Sequence, residues 1–192
     1  MGSALAYAIP FAFASGLNVY ATVAVLGLSA HYGLVALPDQ FRALDHPVVI
    51  GAALVMYLVE FVADKIPWLD SVWDAVHTVI RPLGGAFVAV SALGDASPAA
   101  GALAALLGGT VAMTSHLTKA GTRAAANASP EPFTNWILSF AEDIFAVGLT
   151  YGAIRYPRVA LAIVVVLLVV ILAFSAVIIR FVRRRLSRAP AR

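Results

Sequence analysis

Charged residues are scarce in this chain, 12% of it in all, yet six of them crowd with one histidine into 22 positions: Glu60, Asp64, Lys65, Asp70, Asp74, His77 and Arg81. A helix starting near Ser71 sets Asp70, Asp74, His77 and Arg81 at i, i+4, i+7 and i+11, a single stripe along one face. Carboxylates and an imidazole on one face suit a divalent cation such as manganese, zinc or iron, which makes Asp70, Asp74 and His77 candidate metal ligands. The competing expectation is an amphipathic helix at the membrane surface, with a solvated polar face and Asp74 paired to His77 or Arg81. The spacing matches no closed metal signature.

A second set of charges interrupts otherwise apolar segments. Glu60 ends one such segment, and Glu142 with Asp143 sits near the centre of another. An ionised side chain at mid-bilayer costs about 2.5 to 3.5 kcal/mol on insertion scales, so these carboxylates are expected to face water or a partner. One reading is a proton or cation site that loads and unloads as access alternates. The other is a structural pair, Glu142 with Arg123 or Lys119. Lys119, Arg123 and His116 lie where the fourth apolar segment turns polar, and Asn18 lies at a similar interruption in the first. Such a place could bind an anion through helix-end amides and cations, or Lys119 and Arg123 could simply snorkel to the cytoplasmic interface.

The elements that must position these groups are membrane spans. Hydrophobic residues make up 61% of the 192 and the mean hydropathy is +0.91, where a soluble domain carries roughly a quarter charged residues. At roughly 20 apolar residues per span the chain has room for about six. The N-terminus lacks the basic region of a signal peptide and reads as a retained first span, Ala4 to Ala30, broken near Ser15, Gly16 and Asn18. A polar loop, His31 to Pro47, leads to a second segment, Val48 to Asp64. The third has a purely apolar part, Leu83 to Leu93, too short to cross ~30 Å. It either borrows the polar helix Ser71 to Arg81 or leaves that helix re-entrant or interfacial. Gly94 to Pro98 is a turn, segment four starts near Ala99, and Asn127 to Pro132 is a loop with Ser129 as N-cap and Pro130 at the first helical position. Segment five covers Glu131 to Ile154 and segment six Val159 to Ile179.

Six of the 13 basic residues lie between Arg180 and Arg192. A flank of that kind points to topology or anionic lipid rather than to nucleic acid. Counting Lys and Arg by loop places both termini on the cytoplasmic side of the inner membrane. The absence of cysteine removes disulfides, thiolate metal ligands and a cysteine nucleophile. Neither a Gly-rich phosphate loop nor an HExxH or GxSxG motif is present, which weighs against nucleotide-driven pumping and common hydrolase chemistry. Trp68, Trp73, Trp136, Tyr32 and Tyr156 fall near span ends as an expected aromatic belt.

Taken together, Gly16-Leu17-Asn18, the runs Glu60 to Pro67 and Asp70 to Pro82, Lys119-Ala120-Gly121 with Arg123, and Asn127 to Pro132 resemble a bacterial membrane family, domain of unknown function 4126. The resemblance spans nearly the whole chain. It implies an integral membrane protein and carries over no residue roles.

The expectation is therefore an all-α polytopic membrane protein of about six transmembrane helices with broken or re-entrant segments. It forms one membrane domain over 1–192, with halves 1–95 and 96–182 and a basic cytoplasmic tail, 183–192. Six spans allow a 3+3 inverted repeat, in which Ser15 to Thr22 pairs with Ser115 to Thr122 and Glu60 with Glu142. The function expected is transport of a small ion or polar solute, proton-coupled through intramembrane carboxylates. Its site would include Asn18, Glu60, Asp64, Lys119, Arg123, Glu142 and Asp143, in a cavity that also takes in Asp74, His77 and Arg81. The alternatives are a metal-dependent or acid/base lipid-handling protein at the cytoplasmic face and a structural membrane protein. No cofactor is expected apart from a possible divalent metal. The expected partners are the bilayer, anionic lipid at the tail, and a second copy of the chain.

Overall fold

The computed structural model describes residues 2–34, 39–128 and 133–186. Among the described residues seven α-helices and one 3-10 segment follow in the order α1 (Gly2–Leu17), α2 (Val19–His31), the 3-10 segment Asp39–Asp45, α3 (Pro47–Ala63), α4 (Pro67–Leu93), α5 (Pro98–Asn127), α6 (Phe133–Arg155) and α7 (Pro157–Leu186). No strand occurs among the described residues. Proline opens α3, α4, α5 and α7, a position where its missing N–H costs no helical bond. Gly94, at φ 73°, ends α4 in the left-handed region that favours glycine. Ser97 then caps α5 by accepting from the Ala100 N–H at 3.3 Å. The cap expected at Ser129 and Pro130 and the tail beyond 186 lie outside the described residues.

α4, α5, α6 and α7 are each long and apolar enough to cross a membrane, while α1, α2 and α3 are shorter apolar helices. α7 buries only 6% of its most apolar window against the rest of the protein. Exposed Val, Leu, Ile and Phe side chains cover it, as they do the outer faces of α3 to α6. In water that surface would aggregate; in a bilayer it is solvated. The chain is a helical protein of membrane type.

α4 settles one open point: it is a single helix through Pro82, so the polar stretch and the apolar Leu83 to Leu93 form one element of 27 residues, about 40 Å long. Its stripe does not lie on a solvated face. Asp70, Asp74, His77 and Arg81 are all buried, Asp70 and Arg81 meeting the antiparallel α5 and His77 turning to α2. Down this seam Asp70 faces Asn127, Arg81 faces His116, Gly85 faces Ala112 and Ala89 faces Gly108. The seam is thus polar at one end and made of small residues at the other, where backbones approach closely as in membrane helix pairs.

The broken first segment differs more sharply from expectation. α1 runs parallel to α5, since Ser115 Oγ donates to the Phe13 carbonyl at 2.8 Å and Lys119 Nζ to the Leu17 carbonyl at 3.3 Å. α2 does not continue onward. Gly27 packs on Leu44 and Ile50 at the start of α3, and His31 reaches Asp45 at 2.9 Å. Because α3 and α5 both begin at the end away from the α3–α4 turn, α1 enters from that far end, breaks at Asn18, and α2 returns to it. Phe11 against Phe41, ring centres 5.8 Å apart and nearly perpendicular, closes the hairpin over the 3-10 segment. α1 therefore begins and α7 ends at opposite ends of the bundle. α5, by contrast, is unbroken across Ser115 to Thr122, so the interruption expected there to mirror Asn18 has no counterpart.

Candidate functional site

Four helix ends converge on the near end of the bundle: the close of α3, the start of α4, the close of α5 and the start of α6. The α3–α4 turn is clamped there. Arg123 Nη1 and Asn135 Nδ2 donate to the Asp64 carbonyl at 2.8 and 3.0 Å, Trp136 Nε1 to the Lys65 carbonyl at 3.3 Å, and Asn127 Nδ2 to Asp70 Oδ2 at 2.9 Å. In the turn, Lys65 Nζ sits 3.1 Å from the Phe61 ring centre and donates to Ser139 Oγ at 3.2 Å. Burial there lowers its ammonium from the usual lysine range, the Asp143 and Asp64 charges opposing the shift.

Behind this clamp lies one connected network. Glu60 Oε1 accepts from Arg81 Nη2 at 2.6 Å and from Lys119 Nζ at 3.1 Å. Asp64 Oδ2 accepts from Lys119 at 3.1 Å and from Arg123 Nη2 at 2.8 Å. Arg123 continues to Glu142 Oε2, with Nε at 3.0 Å and Nη2 at 2.8 Å, while Lys119 approaches that oxygen at 3.9 Å. Arg81 also meets Asp74 Oδ1 at 3.3 Å, and Arg123 lies 3.8 Å from Asp70 Oδ1. Lys119 and Arg123 are 2% and 1% exposed, which overturns their reading as snorkelling interface residues. The structural pair that stood as the alternative reading, Glu142 with Arg123 or Lys119, is present with Arg123.

The hydrogen bonds fix a tautomer at the deep end. Arg81 Nη1 lies 2.7 Å from His116 Nδ1, and a guanidinium only donates, so Nδ1 must be unprotonated. The proton is then on Nε2, which donates to Thr78 Oγ1 at 3.0 Å; that hydroxyl in turn donates to the Asp74 carbonyl at 3.0 Å. His77 turns elsewhere, its Nδ1 donating to the Trp73 carbonyl at 2.7 Å and its Nε2 meeting the Tyr20 hydroxyl at 3.1 Å.

The hairpin tip docks on the same network. Lys119 meets the carbonyl end of α1 at Leu17, while Asn18 caps α2 by accepting from the Ala21 N–H at 2.8 Å and donates through Nδ2 to Asp143 Oδ1 at 3.0 Å. A cation at a helix C-terminus and a carboxylate beside an N-terminus complement the two half-dipoles.

Every transport-site residue expected from sequence thus belongs to one assembly: Asn18, Glu60, Asp64, Lys119, Arg123, Glu142 and Asp143, with Asp74 and Arg81. Asp70, Asp74 and His77 do not gather as metal ligands. Among the described residues no group of three His, Asp or Glu side chains is placed to hold a metal; these three share the stripe but turn to Asn127, Arg81 and Tyr20. Trp73, expected in the aromatic belt, instead stacks on His77 at 4.6 Å between ring centres. The sequence reading missed Tyr20, Thr78, Asn127 and Asn135. The spacing Asn135, Ser139, Asp143 on α6, all buried, was the available signal for one of them.

With every acid ionised, the network sets six carboxylates (Glu60, Asp64, Asp70, Asp74, Glu142, Asp143) against three buried cations (Arg81, Lys119, Arg123) and Lys65 at its edge. Several acid oxygens are buried without a hydrogen-bond donor: Glu60 Oε2, Asp64 Oδ1, Asp70 Oδ1 and Asp143 Oδ2. Buried charge at this density persists only when compensated.

The sequence matches a family model described as Domain of unknown function (DUF4126) over residues 5–176. The chain belongs to this family. The match takes in every residue of the network, from Asn18 to Asp143. No curated protein and no solved structure matches the chain.

Proposed function

We propose that this DUF4126 protein carries a small ion or polar solute across a membrane, with protons exchanged on its buried carboxylates. One observation carries the reading: the tip of a helical hairpin that stops inside the bundle rests on a connected network holding more acids than bases. Broken helices meeting charged side chains at depth are how secondary transporters build substrate sites. Surplus carboxylates supply places where a proton or cation can be taken up and released.

In this reading α3 to α7 cross the bilayer and α1–α2 forms a re-entrant hairpin. That gives five crossings rather than six and puts the two ends of the chain on opposite faces. Lys65, Lys119, Arg123 and the arginines that close α7 lie toward the near end, which makes it the cytoplasmic face. The proposal needs no inverted repeat.

The test is proton flux in liposomes under an imposed pH gradient. The parent chain should dissipate the gradient faster than empty liposomes, and Glu60→Gln and Glu142→Gln should lower the rate at least tenfold while still inserting. Parental rates in both variants defeat the proposal.

A lipid-handling role is the second reading, favoured by a pocket of about 470 Å³ between α1, α5, α6 and α7. It is lined by Phe13, Leu167 and Ile171 and reaches Lys119 and Glu142. An acyl chain would fit its walls and a polar headgroup its floor.

A further inference from the structure

A pocket of about 230 Å³ opens between α4 and α5 on the side of the network away from the hairpin tip, lined among others by Asp70, Asp74, Thr78, Arg123 and Asn127. Its polar atoms are mostly acceptors. Asp70 is fully buried and its Oδ1 has no hydrogen-bond donor; the nearest cationic atom is Arg123 Nη1 at 3.8 Å, already committed to the Asp64 carbonyl and Asn135 Oδ1 at 2.8 Å each. Asn127 gives its amide N–H to Asp70 Oδ2 and leaves its own buried Oδ1 without a partner. Asp74 uses Oδ1 on Arg81. Orphaned acceptors on both walls mark the place of a missing positive charge or donor.

We propose that this pocket binds a sodium ion, and that it is where the cation carried by the network first docks. The site's identity as a carrier entrance rests on the transport reading above; the binding does not. All the available donors to the ion are oxygens, which selects a hard cation over zinc or copper. Asp74 is paired with Arg81 at 3.3 Å, whereas Arg123 is held by Asp64 and Glu142 at 2.8 Å and stands off from Asp70 at 3.8 Å, so Asp70 is left with a single uncompensated unit of negative charge that one monovalent ion balances, and no third acid or imidazole converges as a divalent ion requires. At about 30 Å³ of liquid volume per water, the pocket has room for the ion with part of its hydration shell. Asp70 and Asp74 stand next to Arg123 and Arg81, the two guanidinium groups that hold Asp64, Glu142 and Glu60. A cation drawn to either acid thus loosens its hold on an arginine of the main network.

The test is thermal unfolding of the full chain in mild detergent, with sodium chloride exchanged for choline chloride at constant ionic strength and pH. Sodium should raise the midpoint of the parent in a saturable way, and Asp70→Asn should abolish the rise, while Asp95→Asn, in the exposed α4–α5 turn outside both the pocket and the network, keeps it. Should Asp70→Asn fold poorly, binding of radioactive sodium to the parent and to Asn127→Ala decides, with at least a tenfold loss of affinity expected in the variant. No sodium-specific shift in the parent overturns the site, as does an equal shift in parent and Asp70→Asn, or a response to pH alone. Sodium binding without liposome flux sinks the transport reading and spares this one; flux indifferent to sodium with no sodium binding does the reverse.

Discussion

Glu60 holds Arg81 and Lys119 on one oxygen at 2.6 and 3.1 Å with none of its side chain exposed. Replacing it with glutamine keeps the shape and removes the charge, leaving Arg81 only the longer contact to Asp74 and Lys119 only Asp64, itself shared with Arg123. Breaking one side of a buried ion pair typically costs about 3 to 5 kcal/mol. Glu60→Gln should therefore lower unfolding stability by about that much, read as a drop in the detergent unfolding midpoint. Asp143→Asn is the contrast. Its one hydrogen bond comes from Asn18 Nδ2, which an amide oxygen accepts equally well, so a change within about 1 kcal/mol is expected. At this scale the sequence was readable wherever a charge interrupted an apolar segment, because a buried charge needs company. It was not readable for Thr78, Asn127 and Asn135: neutral polar residues are common on helices, and only the partner across the bundle shows that they carry a bond.

Among the elements, α4 and α5 form the most extensive helix pair. A Cβ on Gly108 would meet the Ala89 methyl and lie 2.6 Å from the Gly85 carbonyl oxygen, so the two backbones must part to admit it. Gly108→Ala should cost about 1 to 3 kcal/mol, whereas Gly148→Ala, which points into open space, should leave the same unfolding midpoint unchanged or raised. The helices themselves were legible: prolines, Gly94 and Ser97 mark the boundaries, and the break at Asn18 follows from a capping residue within an apolar run. The direction taken after the break was not. A straight continuation and a return have the same local sequence, and what decides is Gly27 meeting Leu44 and Ile50, contacts between separate elements. The stripe on α4 misled for a related reason: helical spacing tells which residues share a face, not whether water or another helix lies opposite.

For the molecule as a whole, the proposed topology, with α1–α2 as a re-entrant hairpin, makes the number of crossings odd. Since the chain has no cysteine, single introduced thiols report sidedness cleanly. In cells treated with a membrane-impermeant maleimide, Gly2→Cys should label together with Ser97→Cys from one side, and Arg183→Cys only after permeabilisation. Labelling of Gly2→Cys together with Arg183→Cys would restore the six-span arrangement. The membrane class was plain from composition, whereas the span count rested on dividing length by a typical helix, a rule blind to a segment that stops halfway.

The network also imposes an order on biogenesis. Glu60 is 59 residues ahead of Lys119, and Asp64 the same distance ahead of Arg123. At about 5 to 20 residues per second, α3 leaves the ribosome some 3 to 12 s before Lys119 and Arg123 exist, and only Arg81, 21 residues after Glu60, comes sooner. Until α5 arrives Glu60 has only Arg81 and Asp64 has no countercharge, so the nascent chain must shelter that acid, protonated or held by the insertion machinery, and the bundle can close only late, by drawing α3 back against helices made after it.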